Sequence, residues 1–206
     1  MKTIWSSTAI MLLLSVVLIP FFAHPSAAAD LEPKQYLLLK PGYYIPQHDD
    51  MEDYHDGFNG EIYYGRYMNR NFSSELGAGY FKSNSKITST SSSNVTIKTF
   101  DILYNVKGIY RIGRVELFAG PGVGVYFTKG YEFTSASTPA SETEWKPAFG
   151  YHVLAGCNFD LSKAWFLGIE GKYFWAKTKD PIIPQSGAFG THLDGLVGNA
   201  TVGWRF

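Results

Sequence analysis

The sequence has one cysteine, few charges and, beyond its first residues, no long apolar run. Cys157 has no second cysteine with which to pair, so the fold must hold without an internal disulfide. Charged residues make up 17% of the chain, against about 25% in an average soluble domain, and aromatic residues also make up 17%. So few charges beside so many rings indicate that much of the surface faces something other than water.

Two further absences narrow the possible functions. After the first 29 residues, no apolar pattern with a 3.6-residue period extends over ten or more residues, so amphipathic helices are not expected. Basic residues are not in excess, since 18 Lys and Arg face 18 Asp and Glu, and this balance argues against a nucleic-acid partner. We also expect no cofactor.

The first residues have the organisation of a secretory signal peptide. Lys2 supplies the positive charge, an apolar run follows at 10–22, and a small-residue cleavage site ends at Ala29. The run of roughly 13 residues is shorter than the about 20 that a membrane helix needs, so we expect cleavage after Ala29. The sequence therefore divides into a signal peptide at 1–29 and one domain at 30–206.

The mature chain shows period-two alternation from near its start to its end, which predicts strands. The predicted strands cover about 35–46, 57–69, 72–82, 95–110, 115–128, 146–160, 165–177 and 192–206. Each is near a dozen residues, roughly twice the mean for a soluble domain. The predicted fold class is all-β, an eight-stranded antiparallel up-and-down transmembrane β-barrel.

The connections between these strands alternate in length. Tight turns are predicted at 69–71, 111–114 and 162–164, and long connections at 47–56, 83–94, 129–145 and 178–191. In a meander this pattern puts every tight turn and both termini at one end, as in outer-membrane barrels with short periplasmic turns and long external loops. Proline removes a ladder hydrogen bond, so we expect a bulge or bend around Pro121.

One face of each predicted strand is apolar and carries aromatic residues near its ends. Trp165 and Trp175 begin and end this face of the seventh predicted strand; ten tilted residues rise about 23 Å, close to the roughly 25 Å apolar band of such barrels. The residues predicted to form aromatic girdles are Trp165, Trp175, Trp204 and Phe206. A soluble barrel or sandwich would turn this face inward, but strand length and the alternation of the connections favour the membrane.

The opposite face carries the charges, which a membrane barrel would direct into its lumen. The predicted lumen residues are Lys40, Glu61, Glu75, Asp101, Lys107, Glu116, Glu170, Lys172 and Arg205. An eight-stranded barrel is about wide enough for its own side chains, and desolvated charges need partners. We therefore predict a lumen plugged by ion pairs, with a narrow pore for small solutes as the alternative.

The sequence resembles the small outer-membrane barrel family that includes the OmpA transmembrane domain and OmpX. The resemblance lies in the glycine-aromatic strands at 76–80 and 118–126, the charges predicted to face inward and the terminal Trp204-Arg205-Phe206. The resemblance implies a porin-like monomer in the Gram-negative cell envelope, among outer-membrane lipid and lipopolysaccharide. The last strand resembles the signal that the barrel assembly machinery recognises. The implied role is structural, adhesive or surface-binding, through the external loops.

Two candidate chemistries compete with this role. The loop at 48–56 concentrates carboxylates and imidazoles, but their spacing matches no metal motif, so a solvated acidic loop is preferred and no metal is expected. A lipid A-modifying barrel enzyme would need a serine beside a histidine. His152 is predicted to face the lumen, and no serine lies two residues from His192. We therefore predict no catalytic residues and no enzymatic activity.

Overall fold

The structure is a computed structural model that describes residues 35–47, 55–84, 93–134, 139–142, 144–178 and 192–206. The predicted signal peptide at 1–29 and its cleavage site at Ala29 lie outside the described residues, as does most of the loop at 48–56. No helix among the described residues has the length and apolarity needed to cross a bilayer.

The described part of the chain forms strands joined by turns and loops. The strands are β1 (Gln35–Pro46), β2 (Gly57–Tyr67), β3 (Phe72–Asn84), β4 (Ser93–Ile112), β5 (Val115–Thr134), β6 (Pro139–Glu142), β7 (Lys146–Asp160), β8 (Trp165–Thr178) and β9 (Gly195–Arg205). Eight of them correspond to the eight predicted strands, with ends that differ by a few residues. The exception is β5, which runs further on the loop side than predicted.

The eight long strands close into one antiparallel barrel, which confirms the predicted fold class. The sheet order is β4-β3-β2-β1-β9-β8-β7-β5-β6, and an additional β4–β5 pairing closes it. The last strand pairs with the first, and the two ends of the barrel chain meet where Phe206 N donates to Gln35 O at 3.0 Å. The first and last residues of the barrel, Gln35 and Phe206, therefore lie at the end that carries the tight turns.

The short strand β6 was not predicted. It pairs with the far end of β5, through Tyr131 with Glu142 and Glu132 with Ser141, and the register shifts after Glu132. Its four residues include a proline within a serine- and threonine-rich segment, so they show no alternation long enough to indicate a strand. It adds to the loop-side end of β5 and takes no part in closing the barrel.

Prolines interrupt two barrel ladders without shifting them. Pro121 pairs with Val153 in β7, and on the β4 side the ladder omits two positions and resumes in the same register. At Pro41, the ladder between β1 and β9 likewise omits two positions and resumes in the same register. Because the register is constant, the bulge expected around Pro121 is wrong. A proline without an N–H can leave a ladder hydrogen bond unmade while the chain stays in step.

The β4–β5 turn is the tightest connection of the barrel. Gly113 has φ 59°, a left-handed conformation that only glycine adopts at little cost, and it belongs to the two-residue turn at 113–114. The other tight connections, at 68–71 and 161–164, lie at the same end. This confirms the predicted separation of short turns from long loops.

Candidate functional site in the barrel lumen

All nine charged residues predicted for the lumen have buried side chains inside the barrel, with exposed fractions between 0% and 8%. Seven of the eight barrel strands contribute at least one of them. Their common placement follows from the pleat, because successive side chains of a strand point to opposite faces of the sheet. The structure divides them into a middle group and a group near the tight turns.

Two lysines and two glutamates form the centre of the middle group. Lys40 Nζ lies 2.7 Å from Glu170 Oε2 and 3.7 Å from Glu75 Oε2. Lys107 Nζ lies 2.8 Å from Glu75 Oε1 and 3.0 Å from Glu170 Oε2. Each lysine thus contacts both carboxylates, and the four charges balance. We call these four residues the charge square.

Beside the charge square, Lys172 forms an ion pair with Glu61, whose carboxylate also accepts hydrogen bonds from Asn59 Nδ2 at 3.1 Å and from the Tyr63 hydroxyl at 2.9 Å. Asp101 is buried close to this pair, but its Oδ1 has no hydrogen-bond partner within the described residues. These contacts continue the polar layer from β8 to β2.

The group near the tight turns is built around Glu116 and Arg205. Arg205 Nη1 lies 2.7 Å from Asp160 Oδ1, and its Nη2 lies 3.8 Å from Glu116 Oε2. Arg111 Nε donates to the same glutamate oxygen at 2.9 Å, and the Tyr67 hydroxyl donates to it at 3.2 Å. Asp160 and Arg111 were not predicted here, because the sequence placed them at a strand end and in a turn. The sequence did contain a signal for their placement, because the strand alternation puts Asp160 on the same face as Asn158, and Arg111 on the same face as Lys107.

On the loop side of the charge square the lumen contains a group of aromatic rings, which was not predicted. Tyr44 lies 4.5 Å from Phe81 and 5.7 Å from Phe174 between ring centroids, and Tyr126 stacks on Phe174 at 5.1 Å. We call these four residues the aromatic layer. The Tyr44 hydroxyl donates to the backbone oxygen of the fully buried Leu193 at 2.9 Å, so the segment before β9 is tied to this layer.

The two histidines considered for catalysis lie in different surroundings. His152 is buried in the lumen, where its Nε2 lies 2.6 Å from Asn105 Oδ1. His192 Nδ1 lies 3.6 Å from Asp194 Oδ2, near the loop-side end. Neither contact is with a serine hydroxyl. Among the described residues, no three His, Cys, Asp or Glu side chains are grouped to hold a metal ion. Of the acidic loop, only His55 and Asp56 are described.

The aromatic residues predicted for the girdles lie on the outer face at two levels. Near the tight turns, the Trp204 ring lies 6.3 Å from that of Trp165 and 5.0 Å from that of Phe206. At the other end of β8, Trp175 stacks on Tyr151 at 5.1 Å. Trp165, Trp204 and Phe206 are each more than two-fifths exposed. The barrel thus has an aromatic group at each end of its outer surface.

Comparison with known proteins agrees with this architecture. The family model of the outer membrane protein β-barrel domain matches residues 14–206. The crystal structure of the outer membrane protein OprG from Pseudomonas aeruginosa is similar, with a TM-score of 0.58 and 12% identity over 87% of this chain and 99% of OprG. A major outer membrane protein from Thermus thermophilus is similar with a TM-score of 0.53 and 13% identity over 84% of this chain and 98% of that one.

A search of curated protein sequences gave no match. At identities this low the two solved structures show a common fold alone, whereas the family model spans nearly the whole chain. The chain belongs to the outer membrane protein β-barrel family and is located in the outer membrane.

Proposed function

From this membership we propose that the protein is an integral outer-membrane barrel with a closed lumen, and that it has a structural, adhesive or surface-binding role through its long external loops. The observation that carries the closed lumen is the charge square, whose buried charges span the barrel interior from β1 and β3 to β4 and β8. We infer from it that ions and solutes do not pass.

The charge square supports closure because its charges have no room to be hydrated as ions in an open pore would be. The side chains of Lys40, Glu75 and Glu170 have exposed fractions of 0% or 1%. Charges that are this desolvated are stable only when they are paired, so opening a path between them would have to break contacts of 2.7–3.0 Å.

The aromatic layer supports closure at a second level. Its rings fill the lumen on the loop side of the charge square, and Phe81, Tyr126 and Phe174 are each 1% exposed. An ion that entered from outside would have to pass between these rings, where it would lose much of its hydration without gaining a charged ligand. The two layers therefore oppose permeation by different physical means.

A role outside the barrel is supported by β4 and β5. Each has 20 residues, which at the usual rise and tilt reach about 45–50 Å, roughly twice the apolar band of such barrels. Since their tight turn lies at the periplasmic end, the excess length projects from the outer surface. A two-stranded extension that stands above the membrane is suited to contact with other molecules.

The same proposal includes the surroundings of the barrel. Outer-membrane lipid and lipopolysaccharide would cover the outer face, with Trp165, Trp175, Trp204 and Phe206 at the two interfaces. The strand that ends on Phe206 would be recognised by the barrel assembly machinery, and the mature monomer would begin at Asp30 after cleavage at Ala29. N-terminal sequencing of protein extracted from outer membranes tests the cleavage site.

Single-channel recording of purified protein in planar bilayers tests the closed lumen. We expect no stable open conductance from wild type. The matched comparison is a variant that carries Phe81→Ala and Phe174→Ala, in which the aromatic layer is reduced while the charge square is kept; it should also be closed. A stable conductance of wild type would refute closure and favour the narrow pore for small solutes.

A loop experiment tests the external role. Deleting the part of the β4–β5 extension beyond the barrel, with β6, should leave a barrel that still shows heat-modifiable migration on a gel. If the surface role is correct, the deletion removes binding of cells that express the protein to host or bacterial surfaces. A lipid A deacylation or palmitoylation assay with wild type covers the enzymatic alternative, and product formation there would refute the proposed role.

A further inference from the structure

The middle group of lumen charges has one more carboxylate than it has lysines. Its positive members are Lys40, Lys107 and Lys172, and its negative members are Glu61, Glu75, Asp101 and Glu170. The group near the tight turns is balanced, since its two arginines face Glu116 and Asp160. Ionisation of all these side chains would therefore leave the middle group with one uncompensated negative charge.

Asp101 is the carboxylate of the middle group that has no lysine. Two of the three lysines belong to the charge square, and Lys172 pairs with Glu61. Among the described residues, neither these lysines nor Lys146 at the loop-side mouth forms an ion pair with Asp101, and its Oδ1 has no hydrogen-bond partner. The Asp101 side chain is 2% exposed, so bulk water does not solvate this carboxyl group.

The register places Asp101 between a glycine and a tyrosine. Its partner on β3 is Gly79, and its partner on β5 is Tyr126, whose buried hydroxyl likewise has no hydrogen-bond partner within the described residues. A side chain at Gly79 would collide with Asp101 Oδ1 and would lie 3.0 Å from Glu61 Cγ, so the two acidic side chains approach each other over this glycine. An ionised Asp101 would therefore have Glu61 as a like-charged neighbour.

The other titratable groups around Asp101 offer one alternative place for a compensating proton. They are Lys40 on β1, Glu61 and Tyr63 on β2, Tyr126 on β5, His152 and Lys146 on β7, and Lys172 on β8. Lys172 attracts Asp101 but is already paired with Glu61. The tyrosines can add no positive charge, so the alternative is the imidazole of His152.

The hydrogen bonds of His152 favour its neutral form. Asn105 Nδ2 donates to Glu75 Oε2 at 3.0 Å, so Asn105 Oδ1 is the acceptor for His152 Nε2 at 2.6 Å. Neutral His152 thus carries its proton on Nε2, and a second proton on Nδ1 would find no acceptor among the described residues. A charged imidazole would also be repelled by Lys172. The additional proton is therefore better placed on Asp101.

An unpaired carboxylate in a dry interior is unstable as an ion, and such a group takes up a proton instead. We propose that Asp101 is a proton-binding site of the closed barrel, in which the side chain is a neutral carboxylic acid at neutral pH. One proton is therefore taken up from solution when the lumen closes. This proposal rests on the closed lumen proposed above, and it adds a site within that lumen and the ligand that the site binds.

Carbon NMR of refolded mature protein in detergent micelles measures the protonation state directly, with aspartate isotope-labelled at its side-chain carboxyl carbon. The signal of Asp101, identified by its loss in Asp101→Asn, should have the chemical shift of a protonated carboxyl group at neutral pH. Asp160 is the control within the same spectrum. It lies 2.7 Å from Arg205 Nη1, so its signal, identified with Asp160→Asn, should have the shift of a carboxylate.

The pH dependence of stability detects the same proton. An exposed aspartate is ionised above about pH 4, so above this pH the closed barrel binds one proton more than the unfolded chain. The stability of wild type relative to Asp101→Asn should therefore fall as the pH rises, and the ratio of the wild-type unfolding equilibrium constant to that of the variant should rise about tenfold per pH unit.

Urea unfolding in phosphatidylcholine vesicles measures this ratio. It should rise about a hundredfold between about pH 5 and about pH 7, and Asp101→Asn should be more stable than wild type at the upper pH. The corresponding ratio for Asp160→Asn should change less than about threefold, because Asp160 is ionised in both the folded and the unfolded chain over this range.

Four results would overturn the proposal: a carboxylate shift for Asp101 at neutral pH, a ratio that changes less than about threefold over this range, an equal pH slope for Asp160→Asn, or failure of Asp101→Asn to fold. A carboxylate shift that depends on sodium concentration would indicate a bound metal cation in place of the proton. None of these results opens the lumen, whereas a stable wild-type conductance would refute the closed lumen whatever the state of Asp101.

Discussion

Removing one carboxylate from the charge square is the most direct perturbation of the lumen. Glu170 Oε2 lies 2.7 Å from Lys40 Nζ and 3.0 Å from Lys107 Nζ. Glu170→Gln therefore leaves two buried lysines with Glu75 as their only carboxylate in the charge square. Breaking a buried pair by removing one partner costs about 3–5 kcal/mol. Because Glu75 still contacts both lysines and glutamine can accept one hydrogen bond, we expect the low end, a loss of about 3 kcal/mol in the free energy of unfolding.

The double variant Lys107→Met/Glu170→Gln distinguishes charge balance from packing. It leaves one lysine and one glutamate, Lys40 and Glu75, which are 3.7 Å apart. It should therefore be more stable than Glu170→Gln, although it carries an additional substitution. Lys177→Gln is the control for loss of a charge on the outer face of the same strand, and should change stability by less than about 0.5 kcal/mol.

Equilibrium unfolding in urea, followed by tryptophan fluorescence in phosphatidylcholine vesicles, measures all three variants. The reasoning about the charge square is refuted if Glu170→Gln unfolds within about 0.5 kcal/mol of wild type, because a buried charge would then have lost its partner without cost. It is also refuted if the double variant is less stable than the single one.

The remaining predictions concern the aromatic layer, a turn and the outer face. Phe174→Ala should lower the free energy of unfolding by about 3–5 kcal/mol in the same urea assay, whereas Phe174→Leu should cost less; equal losses would contradict a packed layer. Gly113→Val should cost about 1–2 kcal/mol because of the left-handed turn, and Gly113→Asn should cost less; urea midpoints that do not differ would argue against this strain. Trp204→Ala should cost about 1–3 kcal/mol through its two ring contacts, with Trp204→Phe intermediate in urea midpoint; an alanine variant as stable as wild type would contradict it.

Most of the fold was predictable because every strand of a membrane barrel repeats the same two-residue alternation of inward and outward side chains. Alternation over a dozen residues fixes both the existence of a strand and the face of each side chain, so Lys40 and Glu170 could be assigned to one interior although they are 130 positions apart. The sequence could not indicate which lysine meets which glutamate. That choice depends on the register and tilt of the closed sheet.

The features that were missed have a physical reason. Tyr44, Phe81 and Phe174 occupy inward positions, but an aromatic residue near a strand end is equally typical of an outer girdle, and only the closed barrel shows that these rings meet. The outer part of β5 was missed because the alternation of apolar residues ends near Lys129. The bulge expected at Pro121 was wrong because a missing ladder bond does not require an extra residue.

The ion pairs of the lumen have a consequence for how the barrel is assembled. Lys40 and Glu170 are separated by 130 positions, and Lys172 and Glu61 by 111, so each pair joins an early strand to a late one. A partly formed sheet has these charges but not their partners, and it gains the pairing only when β8 has joined the sheet that contains β1 and β2. Folding intermediates should therefore keep the polar face hydrated, so that the sheet cannot enter lipid strand by strand. We therefore expect loss of water, closure of the barrel and insertion to occur together.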